Sequence, residues 1–126
     1  MSRIAFAAPG AAAVGPYSHA VAAGELIFLS GQTPLDSATG KVVEGDVAAQ
    51  TEQCFKNLFN VLTAAGLTQD HVVKCNVYLT DMNDFAAMNA VYAQQFEAPY
   101  PARTTVQVAG LPLGARIEIE MVARKG

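Results

Sequence analysis

Residues 115–124 have the sequence ARIEIEMVAR, in which apolar and polar side chains alternate. Successive side chains of a β-strand point to opposite faces of its sheet, so the pattern predicts a strand. One predicted face holds Ile117, Ile119, Met121 and Ala123. The other face holds Arg116, Glu118, Glu120 and Val122. A sheet with one apolar face is buried by helices packed on that face, and the rest of the sequence supplies two of them.

Four further segments are predicted to form strands. Residues 20–23 and 26–30 make a hairpin around Gly24 and Glu25, because glycine supplies the backbone angle that a two-residue turn needs. Residues 71–80 alternate apolar and polar side chains, and residues 103–109 form another strand. The run from Leu26 to Leu29 is continuously apolar, which predicts a strand buried on both faces.

The first helix is predicted to begin at Asp46, a favourable N-cap, and to run to about Ala65. Gly66 then occupies the position at which helices commonly end. Side chains at three- and four-residue spacing form one apolar face. They are Thr51, Cys54, Phe55, Leu58, Val61, Leu62 and Ala65.

The second helix is predicted to follow a cap at Asp81 or Asn83 and to stop before Pro99 and Pro101. Its apolar face consists of Phe85, Met88, Tyr92 and Phe96. The loop over residues 36–45 is polar and contains a short strand at 42–43, which gives the element order ββ(β)αβαββ.

This order predicts an α+β fold with one mixed sheet of five to six strands and both helices on one face. The strand–helix–strand segments permit parallel crossovers. The other face of the sheet is then uncovered within one chain. Charged residues make up only 15% of the chain, where about 25% is usual. We therefore expect the uncovered face to pack against other copies of the chain.

The length of 126 residues predicts a single domain, 1–126. The segment 1–14 is rich in alanine, but Pro9 and Gly10 interrupt it before the apolar stretch of a signal peptide forms. No run approaches the roughly 18 apolar residues of a membrane span. We therefore expect no export signal, no membrane partner and a cytoplasmic location.

Charge and cysteine content argue against several other classes of protein. A net charge of −3, with eight scattered lysines and arginines, lacks the basic footprint of a nucleic-acid-binding protein. Cys54 and Cys75 are too few for a disulfide framework and are predicted to be reduced and buried. Together with His19 and His71 they match no metal-site spacing, so no metal is expected.

Four short stretches combine polar side chains with glycine, proline or strand ends: GPYSHA (15–20), SGQ (30–32), PARTTV (101–106) and RIEIE (116–120). Each has a structural interpretation: a rigid turn, a strand end, a solvated arginine and a strand with one wet face. The last three also have a chemical one. Gly31 lets a ligand approach the backbone, and Arg103 grips a carboxylate or phosphate with two parallel hydrogen bonds. Glu118 or Glu120 orients or deprotonates water.

Taken together, the motifs resemble the reactive intermediate deaminase family, the RidA/YjgF proteins, also called the L-PSP endoribonuclease family. The resemblance covers roughly residues 15–124. Its matching elements, in order, are GPYS (15–18), SGQ (30–32), NL (57–58), AGL (65–67), VVK (72–74), VYLTDM (77–82), DF (84–85), MN (88–89), PAR (101–103), LPLG (111–114), IEIE (117–120) and Ala123.

The resemblance implies a chorismate-mutase-like α+β subunit and a homotrimer with a barrel-like core, helices outside and three clefts between subunits. It implies hydrolysis of reactive enamines and imines, such as 2-aminoacrylate, 2-iminopropanoate and 2-iminobutanoate, to 2-keto acids and ammonia. Such intermediates are released by pyridoxal-phosphate enzymes. The small imino acids are the implied partners, and no metal or organic cofactor is implied.

Residue by residue, the resemblance assigns catalytic roles to Arg103, which would hold the substrate carboxylate, and Glu118, which would place the attacking water. Further positions would bind substrate, with the backbone carbonyl of Thr105 accepting a hydrogen bond from the imine nitrogen. The other binding positions are Tyr17, Ser30, Gly31 and Asn89. Glu120 is a weaker catalytic candidate.

Two positions depart from the family pattern, and other functions remain open. Thr105 stands where many bacterial members have cysteine, which would matter if a thiolate were needed. His19 stands where relatives often have glutamine, and we expect a surface or supporting residue there. Family members are also described as endoribonucleases and translation inhibitors. A non-catalytic ligand-binding protein or a holdase is a third possibility.

Overall fold

The computed structural model describes residues 3–9 and 15–126. They contain two helices and eight strands, joined in places by 3₁₀ turns. The strands are β1 (Ile4–Phe6), β2 (Ala20–Ala23), β3 (Leu26–Gln32), β4 (Leu35–Asp36), β5 (Lys41–Val42), β6 (Val72–Leu79), β7 (Ala102–Gln107) and β8 (Ile117–Arg124). The helices are α1 (Val47–Ala64) and α2 (Phe85–Ala93). The short strand predicted at 42–43 corresponds to β5, and its partner β4 was not predicted.

Six of these strands form one mixed sheet in the order β1-β2-β3-β8-β6-β7. Neighbouring strands are antiparallel except β6 and β7, which are parallel and joined through α2. Helix α1 packs across β3 and β8, and α2 packs beside α1, so both helices lie on one face. The predicted α+β fold with a mixed sheet is confirmed.

Strand β8 lies at the centre of the sheet and pairs with β3 and β6. Its predicted alternation is confirmed, because the four apolar side chains of its core face are at most 2% exposed. They are Ile117, Ile119, Met121 and Ala123. The intervening side chains point to the face without helices, which we call the open face.

Helix α1 has the ends that the sequence predicts. The Asp46 carboxylate accepts a hydrogen bond from the Ala49 backbone N–H at 3.0 Å, which satisfies one of the free donors of the first turn. Gly66 follows the helix with a φ of 76°, a left-handed conformation that costs a residue without a Cβ little.

Helix α2 is shorter than predicted. It is preceded by a 3₁₀ turn whose cap is Asp81, and it ends at Ala93, well before Pro99. The backbone N–H groups of Gln94 and Gln95 bond to carbonyls three residues back, and the Gln95 side chain donates to the Val91 carbonyl at 3.1 Å. These bonds tighten and end the last turn, so the prolines do not stop the helix.

The open face carries exposed apolar side chains, as expected, but the prediction that β3 is buried on both faces is wrong for one chain. Ile27 and Leu29 are buried under the helices, whereas Leu26 is 39% and Phe28 is 47% exposed. Val106 on β7 is 40% exposed on the same face as Phe28. Within a single chain, water covers these side chains.

The segment 1–14 contributes β1, which pairs with β2 at the edge of the sheet and was not predicted. Residues 1–2 and 10–14 lie outside the described residues. The expectation that this segment is not an export signal stays a prediction.

The homotrimer also stays a prediction, and the open face provides a test of it. Sedimentation equilibrium should give about 40 kDa, three times the 13.2 kDa of one chain. Phe28→Asp should shift the protein to smaller species, because it places a charge in an apolar contact, while circular dichroism keeps its folded spectrum. Phe28→Leu should remain assembled. A wild-type mass near 13.2 kDa would contradict the expectation.

Candidate active site

A cavity of about 520 Å³ opens beside the ends of β3 and β8. Among its lining residues are five of the predicted site residues: Tyr17, Ser30, Gly31, Glu118 and Glu120. Two strands and the segment that leads into β2 therefore supply side chains to one space. The remaining predicted residues lie elsewhere in the chain.

The segment before β2 is held against β3 by Ser30. Its hydroxyl donates to the Ser18 carbonyl at 2.6 Å, and its backbone N–H donates to the His19 carbonyl at 2.9 Å. Ser30 thus fixes two successive carbonyls, those of Ser18 and His19, just after Tyr17. Its hydroxyl oxygen retains lone pairs that can accept a hydrogen bond from a ligand.

Gly31 leaves room for the carboxylate of Glu118. The pairing of β3 with β8 shifts between Leu29 and Gln32, so β3 has one extra residue at Ser30–Gly31. A Cβ added at Gly31 would lie 3.0 Å from Cδ of Glu118 and 3.2 Å from its Oε1. The glycine therefore allows the Glu118 carboxylate, rather than only a ligand, to approach this backbone.

The two cavity carboxylates have different surroundings. Glu120 accepts hydrogen bonds from the Tyr78 hydroxyl and from Nδ2 of Asn76, the latter at 3.1 Å. The hydrogen bond from Tyr78 to Glu120 is the main cause that raises the pKa of Tyr78 to about 12, so Tyr78 stays a donor at neutral pH. Glu118 accepts no hydrogen bond from the described residues.

The surroundings of Glu118 favour its protonated form. Burial is the larger cause that raises its pKa above the ordinary value of a glutamate, and the nearby charge of Glu120 raises it further. A carboxylate of raised pKa is a stronger proton acceptor than a free one, which suits a group that takes a proton from water.

Arg103 lies in a second group of residues, on β7 and α2. Its guanidinium donates to Oδ1 of Asn89 at 2.7 Å. It stacks over Tyr92, 4.6 Å from the ring centroid, and lies 5.5 Å from that of Phe85. No described carboxylate pairs with it, so its charge is held in place by neutral groups and remains available to an anion.

Within one chain, the Arg103 group and the Glu118 cavity lie on opposite faces of the sheet. Arg103 is aligned with Cys75 of β6, which is aligned with Met121, and this row faces the helices. Glu118 is aligned with Tyr78 on the open face. The structure therefore brings Asn89 to Arg103, but it does not bring either of them to Glu118.

Thr105 follows Arg103 on the helix-facing side of β7. Its hydroxyl is buried and has no hydrogen-bond partner among the described residues. The Val108 N–H bonds to the Leu79 carbonyl of β6. Because backbone groups alternate between the two edges of a strand, this places the Thr105 carbonyl on the outer edge of the sheet.

His19 was expected either at the surface or as a supporting residue, and only the surface position is wrong. It is 5% exposed, it lines the cavity, and its Nδ1 has no partner among the described residues. His19 lies directly before β2, and its carbonyl accepts the hydrogen bond of the Ser30 N–H, which holds the residue against β3. Sequence reasoning also missed Leu35, Pro112 and Leu113 as lining residues, because they belong to a short strand and a 3₁₀ turn outside the main sheet, whose folded path no local pattern predicts.

Phe85 and Tyr92 were predicted only as the core face of α2, and their contact with Arg103 was missed. Aromatic residues at helical spacing usually signal packing, and Tyr92 does pack on Phe55 with ring centroids 5.5 Å apart. The contact with Arg103 depends on the parallel crossover that brings β7 beneath α2, which no local pattern reveals.

Both cysteines are free and buried, as predicted. Burial is the main cause that raises the pKa of the Cys75 thiol, to about 11, and burial likewise raises that of Cys54. The Cys54 thiol donates to the Gln32 carbonyl at 3.2 Å. Both groups are thiols at neutral pH, so neither is an activated nucleophile.

In the described part of the chain, no three or more His, Cys, Asp or Glu side chains lie together in a way that could hold a metal ion. The helices there include none with the length and apolarity required to cross a bilayer.

The chain is an α+β protein with a mixed six-stranded sheet. Two helices cover one face of the sheet, and a cavity lined by two carboxylates lies by the other. The chain belongs to the family whose model is described as Endoribonuclease L-PSP, which matches residues 7–125. The predicted RidA/YjgF membership is thereby confirmed.

Named relatives cover nearly the whole chain. The human protein named 2-iminobutanoate/2-iminopropanoate deaminase is 48% identical over 94% of this chain and 85% of its own. Protein DfrA of Myxococcus xanthus is 53% identical over 88% of this chain and 86% of its own. The RidA structure from an Antarctic Psychrobacter species has a TM-score of 0.92 at 45% identity, over 97% of this chain and 99% of that one.

If Glu118 is the reacting group that the resemblance implies, its contact with Gly31 predicts that Gly31→Ala lowers turnover about tenfold or more, because misplacement of a reacting group by about 1 Å can cost about 10²-fold. The fold should survive, since the Glu118 side chain can move aside, so the melting temperature should change little. Gly110→Ala is the matched control, because a Cβ there meets nothing within 4 Å. Equal kcat values for both variants and the wild type would contradict the role of this contact.

Proposed function

We propose that the protein is a 2-iminobutanoate/2-iminopropanoate deaminase, which hydrolyses reactive enamines and imines such as 2-aminoacrylate to 2-keto acids and ammonia. The observation that carries the proposal is Glu118: a half-buried carboxylate of raised pKa, without a hydrogen bond from the described protein, at the wall of a cavity. The names of relatives at 45–48% identity support the same activity.

In the proposed reaction, the enamine first takes one proton from solvent at C3, which gives the imine in its nitrogen-protonated form. The oxygen of a water molecule then bonds to C2 while Glu118 accepts a proton from that water. Glu118 passes this proton to the nitrogen of the resulting carbinolamine. The C–N bond breaks, ammonia leaves, and the hydroxyl proton returns to solvent, which leaves the C2 carbonyl of the keto acid. Glu118 ends ionised, as it began.

The anionic end of the substrate is assigned to Arg103. A planar guanidinium binds a carboxylate through two parallel hydrogen bonds, and Asn89 and the aromatic rings orient it for this. The Thr105 carbonyl, on the outer edge of β7, would accept a hydrogen bond from the imine nitrogen.

Because Arg103 and Glu118 lie on opposite faces of the sheet in one chain, we propose that each site is shared between two chains. β7 is the last strand of the sheet, so its outer edge is free for contact with a neighbour. In the proposed homotrimer, Arg103 of one subunit would face the cavity of the next, which gives three equivalent clefts.

Coexpression of two inactive variants tests the shared site. Arg103→Ala should lose the substrate clamp, and Glu118→Gln should lower turnover by about 10²–10⁴. Randomly mixed trimers of the two should regain activity, because about a quarter of the clefts would pair a native Arg103 with a native Glu118.

If both residues act within one chain, no mixture can contain a complete site, and activity would not return. Arg103→Lys provides a further control, because a single ammonium cannot reproduce the two-pronged grip and should also lose most activity. Each variant should sediment with the mass of the wild type.

The raised pKa of Glu118 predicts the pH dependence of kcat. As pH falls through that pKa, the carboxylate takes up a proton and stops accepting one from water, so kcat falls at a higher pH than a free glutamate titrates. Glu120→Gln removes the smaller cause of the shift while keeping an oxygen acceptor. The acid limb should therefore move to lower pH.

Glu97→Gln, an exposed position outside the cavity, should leave the acid limb in place. An acid limb that stays unchanged in both Glu118→Gln and Glu120→Gln would assign it to another group. It would also overturn the proposed role of Glu118.

Two assays on one protein preparation distinguish the proposed activity from the endoribonuclease and non-catalytic alternatives. Protein repurified at high salt is assayed for RNA cleavage and for keto-acid release from an imine generated in the cuvette. We expect only keto-acid release, because eight scattered cations on a chain of net charge −3 offer little to a phosphate backbone. RNA cleavage that Arg103→Ala abolishes, without imine hydrolysis, would favour the ribonuclease.

A further inference from the structure

Leu113 has an unusual backbone conformation at the mouth of the cavity. In the 3₁₀ turn Pro112–Gly114, its φ and ψ are 61° and 23°, and among the described residues it is the only non-glycine with positive φ. A Cβ makes this left-handed region unfavourable, so glycine or asparagine would be expected there. The turn already has glycine at the next position, Gly114, with a φ of 70°.

Packing within the chain does not compensate for this conformation. Leu113 is 59% exposed, so its side chain gains little from burial in one subunit. It does line the cavity that contains Glu118. A strained residue whose side chain neither suits its backbone nor fills the core indicates a functional constraint on that side chain.

The chemistry of the cavity walls differs between the six-stranded sheet and the segments outside it. The residues of β3 and β8 at the cavity are mainly polar and include both carboxylates. The apolar lining comes from Leu35 of β4 and from Pro112 and Leu113 of the turn. A 2-imino acid has a similar division, with a carboxylate and an imine at one end and an alkyl group at the other.

We infer that Leu113, with Pro112 and Leu35, forms the wall that receives the alkyl group of the substrate, and that Leu113 determines how strongly a longer alkyl group is preferred. The inference rests on the proposed function and adds a specificity-determining residue to it. Leu113 takes no part in the bond-breaking steps, so its replacement changes the choice of substrate more than the chemistry.

The test compares two substrates that differ by one methylene, 2-iminobutanoate and 2-iminopropanoate, generated by an amino-acid oxidase from 2-aminobutanoate and alanine. In Leu113→Asn, a polar residue of similar size that tolerates positive φ replaces the leucine; in Leu113→Gly, the side chain is removed. The ratio of kcat/KM for the longer imine to that for the shorter should fall roughly 3- to 10-fold in both, since one methylene in an apolar pocket discriminates by about 10-fold or more and this wall is partly open.

Two controls keep the result interpretable. The melting temperature of Leu113→Gly should not fall, because glycine relieves the backbone conformation. Ile4→Asn replaces a side chain that is also 59% exposed but is absent from the cavity lining, and it should leave the ratio unchanged. An unchanged ratio in both Leu113 variants would overturn the inference. So would a change of trimer mass with an unchanged ratio, because the side chain would then pack between subunits.

Failure of the proposed function gives a different result. In that case the wild type does not accelerate imine hydrolysis at all. The wall is then tested by calorimetry with the stable keto acids: the affinity ratio of 2-oxobutanoate to pyruvate should fall in Leu113→Asn by a similar factor. An unchanged affinity ratio would overturn the inference independently of catalysis.

Discussion

The alternation of side chains along β8 is the constraint on which the rest of the molecule depends. This strand lies between β3 and β6, so its backbone is paired on both edges and its register cannot slip without breaking the sheet. Every second side chain is committed to the core under the helices, with Ile117 and Ile119 fully buried. The same pleat turns Glu118 and Glu120 to the open face, about 6.6–6.8 Å apart along the strand.

The neighbours of β8 then make the two carboxylates unequal. β6 supplies the two hydrogen-bond donors of Glu120, Asn76 and Tyr78, whereas β3 presents the glycine backbone of Gly31 to Glu118. Hydrogen bonds compensate the charge of Glu120, whereas Glu118 is partly buried without such bonds from the described residues. Glu120 is therefore suited to hold a network and Glu118 to exchange a proton. The difference arises from strand order, which places Asn76 and Tyr78 of β6 on one side of β8 and a glycine-containing bulge of β3 on the other.

Periodicity and local turn chemistry predicted the elements that depend on nearby residues. The alternation around Ile119 and the cap at Asp46 are examples, and both are confirmed by the structure. The predicted end of α2 was wrong, because hydrogen bonds from the side chain and backbone of Gln95 end the helix before the first proline is reached. The predicted burial of Phe28 was wrong for one chain, because an apolar run does not show whether both faces of its strand are covered within that chain.

The candidate site divides in the same way. The motifs predicted Glu118 and its neighbours at the cavity, but neither the burial of His19 nor the backbone of Leu113 has a signal in local sequence. The close approach of Gly31 to Glu118 has a consequence for the history of the chain. A side chain at position 31 and the Glu118 carboxylate in its present place compete for one volume. A lineage that gained bulk at 31 would keep its fold by displacing the glutamate, and would give up the position that this carboxylate holds at the cavity wall.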